Sequence, residues 1–488
     1  MANYLSIHTN GRVNALPASC TSAQLLGAKG EIMDQEVKIG DRFPLTIRRL
    51  DINGAGIGYY RRKITFVTGA LPDEVVVAEV TAIHDRYLEA KTHRIRKSSP
   101  DRVPPVDPNY GIVGGVELGA LSYPAQLRFK TDVIRQSLAK YKPAGWQNYD
   151  VRATIGMENP LHYRNKAQFP VRMLDGHVRA GMYKPGTHEL VSLKTFATQR
   201  KLTMHVINGL CKIIERLNIP VYDEKANSGI IKTLVVRESA ATGQVQVTFI
   251  TNSAKLPKKA ELLEAIATEL PAVISVSQNV NKGRTSQVWG AETTLLAGSA
   301  YITEVINGVS YNLSPQAFLQ LNPEQTAVLY AQALEALNLR KGDKLVDAYC
   351  GVGTLGLALA KKAGSVRGMD TIPAAIEDAK ENAAQNGFTN TEYTVGKAEL
   401  VLPKWVSEGY KPDAVIVDPP RTGLEGDFIP ALLKARPKRF VYVSCNPSTL
   451  ARDLVRLSKV YNVDYIQSVD MFPETARVEA VVKLSLRK

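Results

Sequence analysis

Cysteine is scarce in this chain of 488 residues: Cys20, Cys211, Cys350 and Cys445 are scattered, with no close pair. Zinc and iron–sulfur ligation need clustered thiolates, and a secreted disulfide framework needs far more of them, so the thiols indicate a reducing compartment. Long apolar runs are missing too; no stretch approaches the roughly 20 residues of a membrane span. The start, Met1-Ala-Asn-Tyr-Leu, has no basic segment leading into an apolar run, so no signal peptide is expected and the cytoplasm is the expected location. Repeats and low-complexity tracts are absent. Positive charge, by contrast, is plentiful: 61 Lys plus Arg against 47 Asp plus Glu leave a surplus of 14. That balance suits a polyanionic partner, because basic side chains on phosphates release condensed counterions.

The length predicts two or three domains. Residues 1–35 are rich in Ser, Asn, Ala and Gly without a sustained period and read as a flexible extension. Residues 36–96 carry short β-rich runs (Phe43 to Ile47, Ile64 to Thr68, Glu74 to Val80, Tyr87 to His93) between turn signals, which predicts a small β-barrel. Arg48, Arg49, Arg61, Arg62, Lys63 and Lys91 lie along it with Tyr59 and Tyr60 between, a mixture suited to phosphate contact and base stacking or, alternatively, to a solvated barrel with core tyrosines. After a proline-heavy connector, residues 97–310 mix strands with amphipathic helices and read as an α+β substrate-shaping domain. From 311 to 488 strands and helices alternate regularly, which predicts an α/β, doubly wound, mostly parallel sheet.

The chemistry lies in that last region. Val346-Asp347-Ala348-Tyr349-Cys350-Gly351-Val352-Gly353-Thr354 reads as a strand, a glycine turn and the start of a helix, where the backbone can approach a ligand closely. About 20 residues on, Asp370 ends the next strand, a place from which an acid accepts hydrogen bonds from ribose hydroxyls. The turn lacks the third glycine of the dinucleotide pattern, which leans towards S-adenosyl-L-methionine. Gly351, Thr354 and Asp370 are therefore candidate cofactor contacts. Asp418-Pro419-Pro420-Arg421 follows another buried strand, and two prolines force the chain off the sheet, leaving Asp418 at the active edge to meet cofactor, base or both.

Ser444-Cys445-Asn446-Pro447 puts a cysteine at the end of the next strand. Uracil C5 is a poor nucleophile, but a thiolate adding to C6 makes C5 an enolate-like carbon able to attack a methyl group. The C5 proton must then leave to a base. Cys445 is placed for the first role. A lone cysteine is more often a small buried hydrophobe, but the shared edge with Asp418 favours catalysis. Glu479, on spacing alone, would be a surface acid.

Together these residues resemble the RNA uracil-5-methyltransferase family. The resemblance runs through Tyr311 to Asn322, Asp347 to Thr354, Asp418 to Gly423, Ser444 to Pro447 and Phe472 to Glu479, and covers nearly everything after residue 36. It implies a Rossmann-like class I methyltransferase domain, an N-terminal OB-like barrel of the TRAM kind, S-adenosyl-L-methionine held by Gln320, Tyr349, Asp370 and Asp418, Cys445 as nucleophile and Glu479 as base. Many relatives hold an iron–sulfur cluster beside a Gly-Gly pair. Here Gly114-Gly115 is flanked by Val113 and Val116, with Asp107 in place of the first thiolate, so no cluster and no other metal is expected. The usual acid after the second strand is Glu rather than the shorter Asp370, and Arg477 replaces a His near the base. A barrel with a cluster-free middle domain resembles the 23S rRNA enzymes of Gram-positive bacteria, which makes 23S rRNA the expected substrate and tRNA the alternative. A cytosine-5 methyltransferase or a non-catalytic RNA-binding protein would share parts of this pattern. No membrane partner is expected, and a monomer is the expected state.

Overall fold

The computed structural model describes residues 36–285 and 287–487; the expected extension over 1–35, with Cys20, lies outside the described residues. Among the described residues no helix is long and apolar enough to cross a membrane.

The first unit is a six-stranded sheet in the order Arg42–Thr46, Val75–Ile83, Tyr87–Lys97, Lys63–Thr68, Gly56–Tyr60, Arg49–Leu50. Strand alternation makes it: Phe43 and Leu45 point inward while Arg42, Pro44 and Thr46 face out. Part of its basic and aromatic surface is structural. Tyr60 stacks on Phe43, with ring centroids 3.5 Å apart, and Lys91 pairs with Glu79 at 2.8 Å; Tyr59 stays exposed. Arg49 donates to the Gln136 side chain on the helix Tyr123–Tyr141, and Leu50 and Leu71 join the core beneath that helix. The barrel is thereby docked on the third unit.

The middle unit is a seven-stranded sheet, ordered Leu190–Ser192, His177–Tyr183, Lys166–Leu174, Ile231–Glu238, Val245–Thr251, Val273–Val280, Glu292–Gly298. The helices Lys201–Arg216 and Lys259–Glu269 share one apolar core with Ala167, Phe169 and Val171 of the sheet. Asp107 is buried here, accepting hydrogen bonds from the Ala197 (2.6 Å) and Asn109 (2.7 Å) amides, so it ties two loops of this unit together.

The third unit holds an eight-stranded sheet, ordered Thr391–Val395, Ser365–Asp370, Lys344–Ala348, Ala414–Val417, Arg439–Ser444, Glu479–Leu486, Tyr461–Val469, Val151–Ile155. The first five strands run parallel, and Glu479–Leu486 runs antiparallel to both its neighbours. Ala414–Val417 is buried on both faces, which is why it reads as an unbroken apolar run rather than an alternation. Chain order reverses between Lys344–Ala348 and Ala414–Val417, and ligands of such sheets bind at that switch point, outside the carboxyl ends of the strands.

Residues 123–155, which the sequence assigns to the central domain, pack on this third unit instead. Val151–Ile155 pairs in parallel with Tyr461–Val469 to close its edge, and Ala125, Phe129 and Val133 of the helix Tyr123–Tyr141 lie in its core. The apolar side of that helix has no partner on the central sheet, whose helical face is already covered. The hairpin Ile302–Ile306 and Val309–Leu313 also shares the third unit's second core, so the boundary expected after residue 310 falls inside a packed hairpin.

Candidate active site

The glycine turn leaves Lys344–Ala348 at the switch point. Tyr349, Gly351 and Gly353 all take positive φ (65°, 55° and 80°), so the chain reverses within five residues and the helix Thr354–Ala360 begins at once. A side chain added at Gly351 would meet nothing within 4 Å, so the glycine leaves open space over the turn. The Gly351 amide donates to Asp370 Oδ2 and the Ile372 amide to Oδ1, both at 3.0 Å. That grip aims the Asp370 carboxylate across the turn, where ribose hydroxyls would lie. Thr354 is fixed from two sides: Tyr330 Oη donates to its Oγ1 (2.9 Å) and Tyr311 Oη to its carbonyl (2.8 Å). The Tyr349 ring lies 6.0 Å from the ring of Phe428. Open space above a positive-φ turn, with an oriented acid beside it, fits S-adenosylmethionine.

Asp418, Cys445 and Glu479 share one edge. The register that pairs Ser444 with Ala480 continues one step to set Glu479 opposite Cys445, and Ala414–Val417 lies on the other side of the cysteine's strand. The turns are braced against each other. Asn446 Nδ2 donates to the Arg421 carbonyl (2.9 Å), Thr449 Oγ1 reaches the same carbonyl (3.2 Å), and the Leu424 amide donates to buried Asp453 (2.8 Å).

Burial controls the charge of this group. Enclosure pushes the Asp418 carboxyl up to about 7. The Cys445 thiol is pushed up to about 12, first by burial and then by Glu479 and Asp418, with Arg421 opposing. Glu479, 4% exposed and with Oε2 unpaired, is held well above the usual carboxylate range by burial and Asp418, offset in part by Arg421 and Lys130. Asp347 sits behind them with neither oxygen hydrogen-bonded. Burial, joined by Asp418 and Asp370, raises its carboxyl to about 8. Burial in the free pocket thus shifts Asp347, Asp418 and Glu479 towards their protonated forms, and a cation entering it would favour their ionised forms.

Buried polar groups from other segments lock the loops that frame the pocket. The loop 470–478, leading to Glu479, receives Lys130 Nζ on Asp470 and on the Phe472 carbonyl (2.8 Å), Tyr163 Oη on the Pro473 carbonyl (2.9 Å) and Asn322 Nδ2 on the Met471 carbonyl (3.1 Å). Gln126 and Glu474 exchange two bonds of 2.9 Å. The loop carrying Gln320 is held by buried Arg237, which donates to the Ser314 and Ala317 carbonyls, and by Asp378, which accepts from Ser314 Oγ (2.9 Å). Gln320 itself is buried and makes no side-chain hydrogen bond among the described residues.

The structure thus brings together Cys445, Glu479 and Asp418 on one side of the switch point, and Gly351, Thr354 and Asp370 on the other, with Tyr349 in the turn between. Lys130, Asp347, Tyr330 and Arg237 were not singled out by sequence reasoning, and Arg421 was noted only as the residue after the two prolines. Only Asp347 and Arg421 stood inside quoted motifs. Lys130 looks like any helical lysine until its partner, 340 residues away, is known.

A mostly parallel sheet with this glycine turn and this acid at its switch point defines a class I S-adenosylmethionine-dependent methyltransferase. Residues 122–487 match the family model of tRNA (uracil-5-)-methyltransferases, and residues 36–92 match the TRAM domain. The chain belongs to that family of RNA uracil-5-methyltransferases. It is similar to an RNA methyltransferase of Lactiplantibacillus plantarum, 61% identical over 94% of this chain and 95% of that protein, and to one of Enterococcus faecalis, 54% identical over 92% and 99%. Among solved structures it is similar to the Pyrococcus abyssi tRNA (uracil-54, C5)-methyltransferase in complex with S-adenosyl-L-homocysteine. That match has a TM-score of 0.73 and 28% identity, and covers 91% of this chain and all of that one.

Proposed function

We propose that this enzyme methylates C5 of specific uridines in 23S rRNA, with Cys445 as the covalent nucleophile and Glu479 as the base. The observation that carries the reading is the position of those two residues, one step beyond the antiparallel register that ends at Ser444 and Ala480 and close enough for Glu479 and Asp418 to act on the Cys445 thiol.

The chain's residues divide the work as follows. Gly351, Thr354, Asp370, Tyr349 and Gln320 bind S-adenosylmethionine, whose sulfonium supplies the methyl group and a positive charge beside three buried acids. Asp418 orients the flipped base. The Cys445 thiol gives up its proton to solvent as the sulfur bonds to C6, and the ring electrons move to C5 and the O4 enolate. C5 takes the methyl group with S-adenosyl-L-homocysteine as the leaving group, the Glu479 carboxylate removes the C5 proton, and the C6–S bond breaks to restore the double bond and return the Cys445 thiolate. The enclosure that raises the thiol also keeps water away from the adduct. The barrel over 36–96 and the central domain hold the RNA around this pocket.

For 23S rRNA the support is the TRAM barrel joined to a middle domain where Asp107 takes backbone amides. The second reading, a tRNA substrate, is favoured by the likeness to the Pyrococcus abyssi tRNA enzyme. Incubation with S-adenosylmethionine and undermodified rRNA and tRNA, followed by nucleoside mass spectrometry, decides between them. 5-Methyluridine in the rRNA pool alone is expected. The same product in tRNA alone moves the substrate, and 5-methylcytidine or no product overturns the reaction.

A further inference from the structure

Two cations beside the pocket make no ion pair among the described residues. Arg164 and Lys166 stand two residues apart where the strand Lys166–Leu174 begins. The backbone here is stitched to both loops that frame the pocket: Tyr163 Oη donates to the Pro473 carbonyl and the Asn165 amide to the Leu321 carbonyl, each at 2.9 Å. On extended backbone a spacing of two turns both side chains to one side, away from the core face of Ala167 and Phe169.

Neither side chain forms a hydrogen bond or an ion pair among the described residues, and Arg164 Nε is buried without a partner. The Lys166 ammonium lies 5.5 Å from the centre of the Trp289 ring. Arg237, paired with Lys166 in register, has its guanidinium on the Ser314 and Ala317 carbonyls. Burial, reinforced by the charge of Arg237, holds the proton affinity of Lys166 well below its ordinary value, and burial also lowers that of Arg164 against the opposing pull of Tyr163 and Glu117. An enclosed cation without an ion-pair partner is costly, and a site of this kind is completed by an anion from outside.

We infer that Arg164 and Lys166 form a seat for a backbone phosphate of the RNA strand next to the target nucleotide. The inference rests on the RNA-methylating function proposed above. The competing anion is the carboxylate of S-adenosylmethionine. The pair stands on the central sheet rather than on the glycine turn, which favours the phosphate.

The test uses the full chain with Lys166→Met, Lys166→Arg and Arg164→Met. RNA affinity is measured without S-adenosylmethionine, on in vitro transcribed 23S rRNA fragments and tRNA, at several salt concentrations. Removing either cation should weaken RNA binding about tenfold and lower the slope of log affinity against log salt by about one. Lys166→Arg should bind almost as the parent does, and S-adenosylmethionine affinity should not move. Loss of S-adenosylmethionine affinity with RNA binding intact assigns the seat to its carboxylate and overturns the inference, as do unchanged affinities for both. If Lys166→Met melts too early to assay, Lys166→Gln must weaken RNA binding where Lys166→Arg does not. A parent enzyme that binds RNA but makes no 5-methyluridine removes the proposed function and leaves the seat standing. A parent that binds neither RNA removes both.

Discussion

The Lys130 ammonium, on the helix Tyr123–Tyr141, pairs with the Asp470 carboxylate just past the strand Tyr461–Val469, and neither side chain reaches solvent. The same ammonium donates to the Phe472 carbonyl, so one buried cation fixes the first turn of the loop that ends at Glu479. Removing it leaves the buried Asp470 carboxylate without its counter-ion, while the Phe472 carbonyl keeps the Thr475 amide (3.2 Å) and hydroxyl (2.8 Å). Lys130→Met should lose about 3–5 kcal/mol of stability, measured by denaturant unfolding.

Cys445→Ala should abolish turnover while S-adenosylmethionine affinity, measured by calorimetry, stays close to that of the parent. Full turnover in this variant would exclude the covalent route. Glu479→Gln should slow product formation by about 10²–10⁴ and accumulate a protein–RNA adduct that survives a denaturing gel. Free RNA at full activity would remove Glu479 from the reaction.

The buried acid behind the pocket predicts an unusual pH profile for the free protein. Asp347 titrates at about 8 in the fold against 3.8 for the ordinary side chain. Below the lower value both folded and unfolded chains hold the proton. Between the two values only the folded chain keeps it, so this residue's contribution declines by about 1.4 kcal/mol per pH unit as pH rises, then levels off. Asp347→Asn should therefore gain about 2–4 kcal/mol over the parent at pH 8 and nothing at pH 4, read from unfolding midpoints.

Gly351→Ala separates binding from folding. Its φ of 55° lies where an L-residue is tolerated at a cost of about 1 kcal/mol, and the new methyl meets no protein atom within 4 Å. The methyl would occupy the space kept for the ligand. Thermal stability should fall slightly and S-adenosylmethionine affinity about tenfold or more, measured by calorimetry.

Much of the architecture was legible in the sequence, because strand alternation and turn chemistry are local. Phe43 and Leu45 announce the barrel's inner face, and Asp418-Pro419-Pro420 announces where a strand must leave the sheet. The glycine turn and Asp370 form a short-range pattern, and the structure joins them by a single hydrogen bond. What stayed hidden depends on distance along the chain. The helix Tyr123–Tyr141 has an unexceptional pattern, and nothing local says that it belongs beside Asp470 rather than on the neighbouring sheet. Arg164 and Lys166 likewise read as ordinary surface cations until the lack of a hydrogen-bonded or ion-paired partner among the described residues is seen in three dimensions.

The strand Val151–Ile155 closes the edge of a sheet whose other members all lie beyond residue 340. The intervening seven-stranded unit is thus an insertion with both its entry and its exit rooted in one host. A fragment starting near residue 311 would expose the edge left by Val151–Ile155 and lose the helix that supplies Lys130, so it should aggregate rather than fold. Closing so long a loop makes assembly of the methylating sheet a late and slow event. Tethered at two points, the insertion is also restrained from swinging freely, so a pull on it would pass through Tyr163 to the loop that leads to Glu479.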